Sequence, residues 1–281
     1  MNRAIWIDRL LKLTALALLI VGSVIFVIPF FTAANMSMKS EAEINTTSTW
    51  ALPQQPTLGN YQELLTSPNV SFQGFFWNTL IISVLATLGV VLSSSLVAYG
   101  FARLRFRGRD KLFIVMLSTM MLPAIITIIP SYLIFAKLHW VNTYLPLIVP
   151  AWFGGGAFNI FLLRQFFLSV PRELDEAAIL DGASHFTIWR KIIMPLSKTA
   201  LTTVGVFAFI YNWRDFLGPL IYLNDTSKQT LELGLSTYNS IQQEKYHLLM
   251  AGSVLVMLPL VLIFFIGQRY FVKGIVMSGI K

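Results

Sequence analysis

The residues able to do chemistry fall into a few small groups. Glu173, Asp175, Glu176 and Asp181 share nine positions, and clustered carboxylates can exchange protons or hold a cation. Here they sit on one short polar segment that offers no cleft, so a solvated helix face is the plainer reading. His139, His185 and His247 lie in three different loops with no ligand spacing. The chain has no cysteine, which excludes thiolate ligands, cysteine nucleophiles and disulfides. Gly182-Ala183-Ser184-His185 places a serine in a water-exposed loop without a general base arranged for it. Gly154-Gly155-Gly156 is not a phosphate loop, since no helix and lysine follow in the required register; close helix packing or a kink explains it better. No Gly-x-x-x-x-Gly-Lys-Ser/Thr run occurs, so the chain cannot hydrolyse ATP alone. No catalytic residue, metal site or bound cofactor is assigned. One group remains: Tyr211-Asn212-Trp213-Arg214-Asp215 places both signs of charge inside an apolar run.

The elements that carry these groups follow from composition. Of 281 residues, 56% are hydrophobic and 12% charged, against about 25% charged in a soluble domain. The mean hydropathy is +0.68, and lipid must cover part of such a surface. A membrane helix needs about 20 apolar residues, and six stretches qualify: 13–34, 75–101, 112–135, 144–163, 199–223 and 248–267. The expected fold is an all-α polytopic membrane protein with about six transmembrane helices, forming a single domain over 1–281. The first run is longer than the apolar core of a signal peptide, about 7–15 residues, and reads as a retained helix.

Lysine and arginine set the orientation. Arg3, Arg9, Lys12, Arg103, Arg105, Arg107, Arg109, Lys111, Arg164, Arg172, Arg190, Lys191, Lys198, Arg269, Lys273 and Lys281 fall on one side, sixteen in all. Lys39, Lys137, Lys228 and Lys245 fall on the other, and Arg214 within a span completes the 21. This places both termini in the cytoplasm. The net charge of +8 therefore belongs to positive-inside loops and not to nucleic-acid binding. The Arg103–Arg109 run reads as ordinary anchoring, with contact to anionic lipid as the sharper alternative. Residues 35–74 and 224–247 become external loops, 164–198 a cytoplasmic loop and 268–281 a cytoplasmic tail.

The 164–198 loop is the most informative. Pro171 suits the first turn of a helix, and Glu173, Asp175 and Glu176 suit its positive N-terminus. Gly182 suits the left-handed position after its C-terminus. Ser184 can cap a second helix that ends before Pro195. Leu174, Ala177, Ala178 and Leu180 give the first helix a small apolar face for docking. Glu176-Ala177-Ala178, then Asp181-Gly182-Ala183, then Ile192 and Pro195, resembles the EAA loop of ABC-importer permeases; Met194 stands where that pattern has leucine. The segment from Tyr211 to Leu220 resembles the fifth span of maltose-transporter-type oligosaccharide permeases, with Arg214 where asparagine is frequent.

The resemblance covers nearly the whole chain and implies the type I permease fold. It assigns ATPase coupling to Glu176, Ala177, Ala178, Asp181, Gly182, Ala183 and Pro195, and the substrate pathway to Tyr211, Asn212, Trp213, Arg214 and Asp215. It implies a non-enzymatic subunit in a bacterial or archaeal inner membrane. Its implied partners are a homologous permease, two ATPase subunits that hold ATP and Mg, an external solute-binding protein, membrane lipid and an oligosaccharide. Residues 224–247 would touch the binding protein and 272–281 would reach the ATPase. Arg214 could bind a carboxylate with both nitrogens while Tyr211 or Trp213 stacks on a sugar ring, which would suit an acidic cargo. A permease for a non-sugar solute is an alternative. So is an ion-coupled transporter, which would need intramembrane acids where only Asp215 is present. An intramembrane protease would need a Ser/His or Asp/Asp pair within the spans.

Overall fold

A computed structural model describes residues 2–67, 71–241 and 245–278. Its helices in chain order are α1 (Asn2–Ser37), α2 (Glu41–Thr46), α3 (Gly59–Thr66), α4 (Phe72–Arg103), α5 (Arg109–Ser118) and α6 (Ala124–Lys137). There follow α7 (Leu145–Ile148), α8 (Ala157–Ser169), α9 (Glu173–Leu180), α10 (His185–Ile188), α11 (Met194–Leu196) and α12 (Lys198–Trp213). The last three are α13 (Leu217–Tyr222), α14 (Leu231–Ile241) and α15 (Tyr246–Ser278). No strand occurs among the described residues.

Four segments are long and apolar enough to cross a membrane: Trp6–Ser37, Phe72–Arg103, Leu145–Ser169 and Tyr246–Gln268. Two further helix pairs are apolar enough only when each is taken as one bent span. Arg109–Met121 meets Ala124–Lys137 at 99°, and His185–Leu196 meets Lys198–Trp213 at 83°. At the first bend Leu122 is extended, with φ −80° and ψ 120°, as the ring of the following Pro123 demands. The fifth span also stops early, at Trp213 instead of Leu223. Pro219 has no N–H to give the Asp215 carbonyl, and Asp215 Oδ1 accepts the Gly218 N–H at 3.1 Å to start α13. Arg214 is thus the residue that ends α12, with φ −94° and ψ 8°. It does not sit along a continuous helix as expected. α15 runs past Gly267 to Ser278, so much of the expected tail is helical; Lys281 lies outside the described residues.

The contacts form two compact units where the sequence suggests one domain: Met1–Ser71 with Leu235–Leu258, and Phe72–Gly234 with Pro259–Lys281. Within the first, the loop after α1 is ordered by buried amides and one buried amine. Asn60 Nδ2 donates to the carbonyls of Ser37 and Lys39 at 2.7 and 2.8 Å. Lys39 Nζ donates to Thr47 Oγ1 and Ser48 O at 3.1 and 2.9 Å.

In the second unit α4 is the spine and packs along both α8 and α12. Ala86, Ser94, Ala98 and Ala102 are completely buried at multiples of four residues, so they form one stripe. Small residues let helix backbones approach where lipid removes the usual hydrophobic drive. Gly89 is covered by Trp152, whose Cδ1 would lie 2.6 Å from an added Cβ. The glycine triplet both kinks and packs. Gly155 has φ +65°, and an added Cβ would fall 2.5 Å from the Val90 carbonyl, a place only glycine fits.

Candidate functional site

The α9 loop is built by local chemistry. Gly182 is left-handed, with φ +80°. Its N–H donates to Ile179 O at 2.9 Å, and the Ala183 N–H donates to Ala178 O at 2.9 Å. This double closure is a Schellman C-cap. Ser184 Oγ then accepts the Thr187 N–H at 3.3 Å and caps α10. The second helix does not end before Pro195. It widens into a π turn over Trp189–Ile193 and continues through α11, with Pro195 in its first turn. Pro195 there needs no partner for an N–H it lacks. Ala178 is turned inward, while Leu174, Ile179, Leu180 and Phe186 are exposed, Leu180 at 89%. Glu176, Ala177, Asp181 and Pro195 are exposed as well.

Arg103 anchors this loop, and its separate role is not visible in the sequence. Its side chain is 3% exposed. Nη2 donates to the carbonyls of Phe167 and Val170 at 2.6 and 2.7 Å, where α8 ends. Nη1 lies 3.4 Å from Asp175 Oδ2 in the first turn of α9. Burial pushes the Asp175 carboxyl up, and Arg103, Arg172 and His185 pull it back. Removing one partner of a buried ion pair costs about 3–5 kcal/mol, so Arg103 differs from its neighbours in the basic run. Arg105, Arg109, Lys111 and Arg172 line an open cavity of about 590 Å³.

A second cavity of about 620 Å³ lies among α4, the segment from Pro146 to Asn159, and α12–α13. Its size falls within the roughly 300–1,000 Å³ of ligand pockets. Tyr211, Asn212 and Asp215 line it, together with Asn159, Phe153, Phe158 and Tyr222. Tyr211 is 76% exposed. Asn212 Nδ2 donates to Ala208 O at 2.8 Å. Trp213 is placed differently from the expectation of a free stacking ring: it is 1% exposed, stacked on Phe209 at 5.4 Å and edge-on to Phe76 at 5.8 Å. Arg214 is exposed and is not among the lining residues. Its charge acts on Glu232, whose carboxyl is held up by burial and partly restored by Arg214. Sequence reasoning missed Phe153, Phe158, Asn159 and Glu232. The glycine triplet was the one available signal, since it carries the chain from Phe153 to Asn159 past α4.

A model of the binding-protein-dependent transport system inner membrane component matches residues 91–277, which includes the α9 loop and every residue of the cavity lining except Val90. The chain belongs to that family. It is therefore a multi-pass inner-membrane component of a binding-protein-dependent transport system, and the ion-coupled reading finds no support. Among relatives in this family, the chain is 34% identical over 229 residues to the arabinooligosaccharides transport system permease protein AraQ of Halalkalibacterium halodurans, covering 82% of this chain and 81% of that protein. It is 32% identical over 266 residues to the sn-glycerol-3-phosphate transport system permease protein UgpE of Brucella abortus, covering 92% and 94%. In fold it is similar to a chain of a bacterial ABC transporter involved in the import of the acidic polysaccharide alginate. The TM-score is 0.82 at 23% identity, over 94% of this chain and 97% of that one. The architecture is that of an ABC-importer permease.

Proposed function

We propose that this chain is one of two permease subunits of an ATP-driven oligosaccharide importer. The observation that carries this reading is the α9 loop: an exposed apolar end at Ile179 and Leu180, rigidly capped at Gly182, tied to the helices that wall a cavity. An exposed apolar helix end in water is suited to a groove on a partner, and the family resemblance supplies an ATPase as that partner. ATP and Mg would be held by the two ATPase subunits, and closure of that pair would move α9. The cavity would then switch between inward and outward access, driven by the difference in partner binding to the two states. The sixteen-to-four split of basic residues supports an α9 loop on the cytoplasmic side.

Support for a sugar cargo comes from exposed Tyr211 and Phe153 beside Asn159 and Asn212, since rings pack on apolar faces while amides take hydroxyls. AraQ, named for arabinooligosaccharides, supports the same class. The acidic form of the cargo is a second reading. It is favoured by exposed Arg214 at the end of α12 and by the fold shared with the alginate importer. Purification in mild detergent should bring down an ATPase with the chain, and vesicles containing the complex should take up an oligosaccharide with its binding protein and ATP. A chain that purifies without an ATPase, or uptake that ignores ATP, would overturn the proposal.

A further inference from the structure

We propose that the Arg103–Asp175 pair is the positioning contact through which α9 moves α4 and α8 together; this rests on α9 being the ATPase-docking helix. Arg103 is the last residue of α4, and one guanidinium reaches three elements. One nitrogen, Nη2, holds the Phe167 and Val170 carbonyls at the end of α8. The other, Nη1, meets Asp175 in the first turn of α9. A planar, always-charged fork fixes such a junction in direction as well as distance, which a lysine cannot do.

The same two helices continue to the cavity. Val90 of α4 and Phe158 and Asn159 of α8 line it. Val90 lies thirteen residues from Arg103, about 20 Å along a helix at 1.5 Å per residue. A displacement of α9 is therefore delivered to the middle of α4 and the far end of α8, both in the cavity wall, at once. One turn before Arg103 on α4, the Tyr99 hydroxyl lies 3.5 Å from His185 Nδ1 at the start of α10, so the second helix of the loop meets the same end of α4. The ion pair is also only half made: Arg103 Nε and Asp175 Oδ1 are both buried without a hydrogen-bond partner.

Asp175→Asn tests this, because it leaves both carbonyl bonds of Arg103 in place and keeps the side-chain shape. In reconstituted vesicles the complex should assemble and hydrolyse ATP, while cargo taken up per ATP falls by at least about fivefold, the lower end of typical coupling between sites. Asp175→Glu should restore most of the uptake per ATP, and Arg103→Lys should behave like Asp175→Asn. A merely structural bond would change the amount of complex and leave cargo per ATP unchanged. Unaltered cargo per ATP in Asp175→Asn overturns the proposal, and so does loss of assembly in both Asp175→Asn and Arg103→Lys. The docking assignment is tested separately by Leu180→Asp, which lies away from the Arg103 contacts: ATPase that still copurifies with that variant removes α9 as the docking helix and leaves the Arg103 result to stand by itself.

Discussion

Arg214 shows how far one charge can be read. In the sequence it is a cation within an apolar run, and a lipid-facing charge there would cost at least about 2.5 kcal/mol. In the structure it caps α12, is exposed, and acts on Glu232. The residues beside it divide sharply: Tyr211, Asn212 and Asp215 line the cavity, while Trp213 is buried between Phe209 and Phe76. Alternation of this kind is not legible in five consecutive residues without the position of the helix end. The sequence did contain that signal, since Asp215-x-x-Gly218-Pro219 pairs a side-chain cap with a residue unable to donate. In Arg214→Gln vesicles, uptake of an acidic oligosaccharide should fall while that of a neutral one is unchanged and ATP hydrolysis persists. Equal uptake changes for both cargoes would remove the acidic reading, and loss of assembly would make Arg214 a structural residue.

At the level of the element, the α9 loop was largely legible and its anchor was not. The acidic first turn, Gly182 and Ser184 act on neighbours within five residues, so their chemistry is written locally, whereas Pro171 stands before the N-cap Arg172 and not in the first turn as expected. Gly182 has open space around it, and its constraint is φ alone. Gly182→Val should therefore abolish transport with normal membrane insertion, because a branched residue at positive φ costs more than about 1 kcal/mol. Gly182→Asn should retain much of the activity, since asparagine enters the left-handed region more readily. Full uptake by the valine variant would refute the coupling role of the cap. Arg103 was hidden by its company: it stands in a run with Arg105, Arg107 and Arg109, and what distinguishes it lies more than sixty residues away at Phe167, Val170 and Asp175. The bend after α5 has a local cause, since Pro123 dictates the extended conformation of Leu122.

For the whole molecule, hydropathy and basic asymmetry were enough to find the spans and predict their orientation. Length was enough because every crossing must bury its own backbone bonds. Orientation has a direct measurement. A reporter fused after residue 281 should be cytoplasmic, and a tag inserted in the 45–50 stretch should be reachable from outside in intact cells. Trp50 in that stretch is 60% exposed, so the tag has room. An external C-terminus would place the α9 loop on the side without ATP and undo the coupling proposal with it.

The contact of Gly89 with Trp152 leaves a mark on descent. A side chain at position 89 and an indole at position 152 cannot occupy the same space, so neither site is free to drift by itself. Among permeases of this family, those that carry anything larger than glycine at position 89 should carry something smaller than tryptophan at position 152, and the order of change along any lineage should be shrinkage first, growth second. An alignment in which large residues at both positions recur together would contradict this. In the laboratory, Gly89→Val should fail to accumulate in membranes and Trp152→Ala should rescue it.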